Sequence, residues 1–64
     1  MTRIAIAGAA GRMGRSLVLA CSEAKDIDLT QALEREHSPA LGTDSGVLAG
    51  IAANGVSVND SLDP

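Results

Sequence analysis

No phenylalanine, tyrosine or tryptophan occurs in these 64 residues. The large rings that each bury about 150–250 Å² and anchor most small cores are therefore missing. A chain of this length buries only about 60% of the surface that its unfolded form exposes, so Ala, Val, Ile, Leu and Met must build a marginal core. The single cysteine, Cys21, excludes an internal disulfide, the usual remedy in small secreted domains. The chain is therefore expected to be cytosolic and to be part of something larger. Positive charge is scarce as well: five Lys and Arg face eight Asp and Glu, for a formal net charge of −3. Without a basic excess or a ring to stack on a base, a nucleic-acid-binding role is excluded. Long apolar runs are also lacking. Nothing approaches the ~18 residues that cross a bilayer, and residues 4–10 are too short and too rich in Gly and Ala for a signal-peptide core. A soluble chain with no membrane partner is expected. With 45% hydrophobic and 20% charged residues, its composition favours collapse over disorder.

The apolar residues that are present change period along the chain. Arg3 to Ala7 is a short run around Ile4 and Ile6, stopped by Gly8, and reads as a buried parallel strand. From Arg12 to about Ala24, Met13, Leu17, Cys21 and Ala24, joined by Ala20, recur at steps of three and four. Arg15, Ser16, Ser22 and Glu23 fall largely on the other side, which predicts an amphipathic helix with Leu19 off the stripe. Ile27, Leu29, Ala32 and Leu33 make a second extended run. Residues 36–55 hold Pro39 and four of the seven glycines and read as loop, with one short helical turn around Gly46 to Ala49. Val56 and Val58 then alternate with Ser57 and Asn59 as a third strand, and residues 60–64 begin a helix or turn. This order is the N-terminal βαβ(β) part of an α/β, Rossmann-type domain with a parallel sheet.

The break between the first strand and the helix carries the chemistry. A helix that follows a strand directly presents unpaired N–H groups and about half a positive charge at its N-terminus. A phosphate docks there only where no side chain intervenes. In the sequence GAAGRMG, Gly8 allows the tight turn, Gly11 lets backbone approach a pyrophosphate, and Gly14 lets the helix lie close to the sheet. Ala9 and Ala10 keep the rest of the loop small. The spacing is G-x-x-G-x-x-G rather than the more familiar G-x-G-x-x-G, and glycines so spaced also make turns that bind nothing. The preceding strand, the following helix and an acid, Glu34, 20 positions after Gly14 favour a dinucleotide.

Glu34 is the expected partner of the adenosine ribose hydroxyls. Its neighbour Arg35 can pair with a 2′-phosphate, so the two together admit NADH or NADPH. Read without a ligand, Glu34, Arg35 and Glu36 are a solvated charge cluster. Arg12 and Arg15 oppose the helix dipole in the first turn, a penalty that a bound anion reverses. Arg12 is expected to face the cofactor, whereas Arg15 divides between phosphate and solvent. Met13 is expected in the core or as a wall of the cofactor groove, and Cys21 in a buried structural role. His37 reads as a surface residue, and Asp44 and Asp60 as turn residues. No spacing suits a metal.

The blocks IAIAGAAGRMGRSL, ALERE, LGTDSGVLAG and GVSVNDSLD closely resemble the N-terminal segment of the dihydrodipicolinate reductases, across nearly all of the chain. The resemblance implies a reductase that passes hydride from NADH or NADPH to 4-hydroxy-tetrahydrodipicolinate, a cyclic unsaturated dicarboxylate of the diaminopimelate and lysine pathway. It implies that Gly8, Ala9, Ala10, Gly11, Arg12 and Met13 line the pyrophosphate, Glu34 the ribose and Arg35 the 2′-phosphate, in a cytoplasmic homo-oligomer, a tetramer, at full length. Such enzymes are several times longer, and their catalytic residues belong to a later substrate domain. Residues 1–64 are accordingly expected to be a partial dinucleotide-binding domain, inactive alone, with no catalytic residue of its own. A stand-alone NAD(P)-binding regulatory module and another NAD(P)-dependent dehydrogenase are the competing readings.

Overall fold

A computed structural model describes residues 2–61. Five elements follow in chain order: β1 (Thr2–Ala7), α1 (Arg12–Glu23), β2 (Ile27–Leu33), α2 (Ser45–Leu48) and β3 (Val58–Asn59). The strands form one parallel sheet in the order β1-β2-β3. This is the βαβ(β) arrangement expected of the N-terminal part of a Rossmann-type domain. No helix among the described residues is long and apolar enough to cross a membrane.

β1 and β2 run in register from Thr2↔Ile27 to Ala7↔Leu33, interrupted by a shift between Ile4 and Ala5. Thr30 is the extra residue at this bulge, and its hydroxyl donates to the Ile4 carbonyl at 3.0 Å. Ile6, Ala9, Val18, Ala32 and Val58 form the buried core, with Ile4, Leu29, Leu41, Leu48, Ile51 and Val56 packed around it. β1 is less enclosed than its apolar sequence suggests. Ile6 is buried and Ile4 half-buried, but Ala5 and Ala7, which point to the opposite face, are exposed. Helix α1 covers one face of this strand, and among the described residues β1 pairs with β2 alone.

The helix is where the sequence expected it, but its buried row is not the expected one. Gly14 and Val18 are buried and Cys21 is half-buried, whereas Met13 is 75% and Leu17 45% exposed. Met13 is thus no core residue, and Ala20 is exposed as well. The cause is the close approach at Gly14. A Cβ there would collide with the Gly8 carbonyl oxygen and come within 2.7 Å of Ala9 Cα. Seating the helix backbone on the loop at this point fixes its rotation and turns the bulkier Met13–Leu17 row outward. Cys21 still packs against the core.

Residues 36–55 are better organised than their loop-like composition implies. The Asp44 carboxylate caps α2 by accepting from Gly46 N at 2.8 Å and Val47 N at 3.2 Å. It also accepts from Asn54 N at 3.1 Å and Gly55 N at 2.9 Å, which draws the return of the loop onto the start of the helix. Strand β3 is shorter than expected: Ser57 pairs in an isolated antiparallel bridge with Asp44, and Val56 lies outside the strand. Of the helix or turn expected over 60–64, Asp60 and Ser61 are exposed, and the remainder falls outside the described residues.

Candidate functional site

Gly8 leaves β1 with a φ of 68°, the left-handed conformation that glycine adopts without strain. The three residues that follow are held by their own amides. Ala9, buried, donates to the Leu33 carbonyl at 3.0 Å, and Gly11 donates to the Gly8 carbonyl at 3.0 Å. Between them, Ala10 N donates to Glu34 Oε2 at 2.8 Å. Gly11 is the N-cap of α1 and has no side chain with which to close it, and the first intrahelical bond runs from Arg15 N to the Gly11 carbonyl at 2.9 Å. Among the described residues no acceptor pairs with the N–H groups of Arg12 and Met13. The amides left open at this junction are therefore those of the first turn of the helix. The three amides of Ala9, Ala10 and Gly11 are already engaged.

Glu34 is half-buried just past the end of β2, and its own N–H donates to the Asn59 carbonyl at 2.8 Å. The fold thus brings together the glycine loop, the N-terminus of α1 and Glu34, all singled out in the sequence. Arg35 is exposed beside them in a turn closed by Ser38 N donating to the Arg35 carbonyl at 3.3 Å. Within that turn, His37 is exposed with a φ of 66°. Arg12 and Arg15 take a different setting from the loop residues. Both line a groove of about 290 Å³ between α1 and α2, together with Ser16, Leu19, Leu48, Ala49 and Gly50.

The residues present suit a dinucleotide. Gly11 offers no side chain to obstruct the loop, and a Cβ added there would reach only ordinary contact with the Gly8 carbonyl oxygen, 3.4 Å away. The helix N-terminus is uncapped, and a carboxylate at the end of β2 lies against the glycine loop, the chemistry that a dinucleotide's phosphate and ribose call for. Residues 2–64 match the family described as dihydrodipicolinate reductase, N-terminus. The chain belongs to the dihydrodipicolinate reductase family. Two relatives, both 4-hydroxy-tetrahydrodipicolinate reductases from Rhodopseudomonas palustris, strains BisB5 and HaA2, are 55% identical to it over 60 residues. The match takes in 94% of this chain and spans 22% of each relative's length.

Two features of the site were not legible in the sequence reading. One is the Glu34–Ala10 hydrogen bond, which joins residues 24 positions apart. The other is the α1–α2 groove; the short helical turn expected around Gly46 to Ala49 is present as α2, but its packing against α1 was not foreseen. Asp44, read as a turn residue, is the N-cap of that helix, a role its acceptor side chain directly before the helical turn could have signalled.

Proposed function

We propose that this chain supplies the adenosine and pyrophosphate part of the cofactor site of a reductase acting on 4-hydroxy-tetrahydrodipicolinate with NADH or NADPH. The observation that carries the proposal is the contact of Glu34 with a glycine loop at an uncapped helix N-terminus. It occurs in a chain of the dihydrodipicolinate reductase family. In this reading residues 1–64 form part of a dinucleotide-binding domain, and the domain that holds the dicarboxylate lies outside them. When bound, the nicotinamide supplies the hydride. The chain's own residues bind and orient. The N–H groups of Arg12 and Met13 receive the pyrophosphate, and the bare backbone of Gly8 and Gly11 lets it approach. Glu34 recognises the ribose hydroxyls, and Arg35 pairs with the 2′-phosphate when the cofactor is NADPH. The whole protein is cytoplasmic and works as a homo-oligomer in diaminopimelate and lysine biosynthesis.

The test is oxidation of NADH and of NADPH by the protein at its full natural length, with and without the cyclic dicarboxylate. Oxidation that depends on the dicarboxylate is expected. A protein that binds either cofactor but never oxidises it with this substrate would return the chain to the regulatory reading.

A further inference from the structure

We infer that Glu34 is a positioning residue for the phosphate loop as well as a ribose ligand, so that one carboxylate sets the two halves of the nucleotide site together. This inference rests on the nucleotide reading above and deepens it. Three hydrogen bonds support it. Glu34 N donates to the Asn59 carbonyl at 2.8 Å, which fixes the Glu34 backbone against β3. Its side chain then reaches across to Ala10 N, also at 2.8 Å. The adjacent Ala9 N donates to the Leu33 carbonyl at 3.0 Å, a backbone pair that no side-chain substitution removes. The loop is therefore tied to the end of β2 by two neighbouring bonds, one of them owed entirely to a side chain. With Ala10 N–H held toward β2, the loop backbone is committed before a ligand arrives, and the N–H groups of Arg12 and Met13 are left to receive it. A carboxylate beside an anion-binding turn is otherwise repulsive, so its place there calls for such a compensating role.

A ribose contact alone and loop positioning make different demands on a nucleotide that has no ribose diol. The probe is 2′,3′-dideoxyadenosine diphosphate, and the variants are Glu34→Gln and Glu34→Ala in the protein at its full natural length. Both variants remove the charge, but only glutamine keeps an oxygen that can accept from Ala10 N–H. Hydrogen exchange at the Ala10 amide of the ligand-free protein should stay slow with glutamine and become fast with alanine. The Glu34→Ala protein should bind the probe about five- to tenfold more weakly than Glu34→Gln, the size of one lost hydrogen bond. Equal exchange at Ala10 in the two variants, or equal affinity for the probe, overturns the positioning role and leaves the nucleotide site standing. If the parent protein binds neither the probe nor NADPH, the nucleotide reading falls and this inference falls with it.

Discussion

Replacing Gly14 with alanine sets two effects of known size against each other. In the interior of an exposed helix this change is favourable by about 1 kcal/mol, because alanine loses less backbone freedom. Here the new methyl would lie 2.7 Å from Ala9 Cα and 2.8 Å from the Gly8 carbonyl carbon, with the Gly8 oxygen nearer still. All three are backbone atoms and cannot rotate away, so either the loop or the helix has to move. Overpacking costs about 1–3 kcal/mol and occasionally more, and a rigid backbone obstacle belongs at the upper end. Subtracting the helix preference leaves a net destabilisation of about 2 kcal/mol. The displacement also strains the bonds from Ala9 to Leu33 and from Ala10 to Glu34. Urea unfolding of the protein at its full natural length should therefore show a lowered midpoint, and titration should show weaker NADPH binding. A Gly14→Ala variant as stable as its parent would refute the close seating of α1 on the loop.

Other perturbations probe other parts of the site. Gly11→Val should weaken NADH and NADPH alike, with some loss of stability because an added Cβ already touches the Gly8 carbonyl oxygen at 3.4 Å and valine is a poor N-cap; unchanged affinity would mean the loop does not approach the cofactor. Arg35→Ala should weaken NADPH more than NADH, by about 1.5–3 kcal/mol for one charged hydrogen bond, and equal losses in paired titrations would exclude recognition of the 2′-phosphate. The Asp44 carboxyl is held below the usual aspartate range by the amides of Asn54, Val47, Gly55 and Gly46, against the opposing effect of burial. Its depressed value makes its contribution present above the unfolded carboxyl's pKa and lost as pH falls through the folded value. Acid should therefore loosen residues 44–55, and Asp44→Ala should abolish that acid response, as hydrogen exchange of the Gly46, Val47 and Gly55 amides against pH would reveal. His37→Gly should stabilise the turn after Arg35 by about 0.5–1 kcal/mol, because His37 occupies the left-handed region with a φ of 66°; a lowered unfolding midpoint would instead mean that the imidazole makes a stabilising contact.

Short-range chemistry along the chain determined the order of the elements, the turn at Gly8 and the pairing of a glycine loop with an acid one strand later. Each depends on residues near one another: an apolar run, a glycine that leaves the strand, a change of period from two to 3.6. The rotation of α1 could not be settled that way. Hydrophobicity alone favours burying Met13 and Leu17 over Gly14, and what decides is how near two backbones can come, a property of the packed pair rather than of either segment. The same holds for Glu34, whose bond to Ala10 exists because parallel pairing brings the ends of β1 and β2 side by side. It holds again for Asp44, which gathers amides ten and eleven positions away. The sequence by itself determined which residues stand where β1 gives way to α1; only the tertiary structure decided which of their amides stay open, because hydrogen bonds between distant segments had already claimed the others.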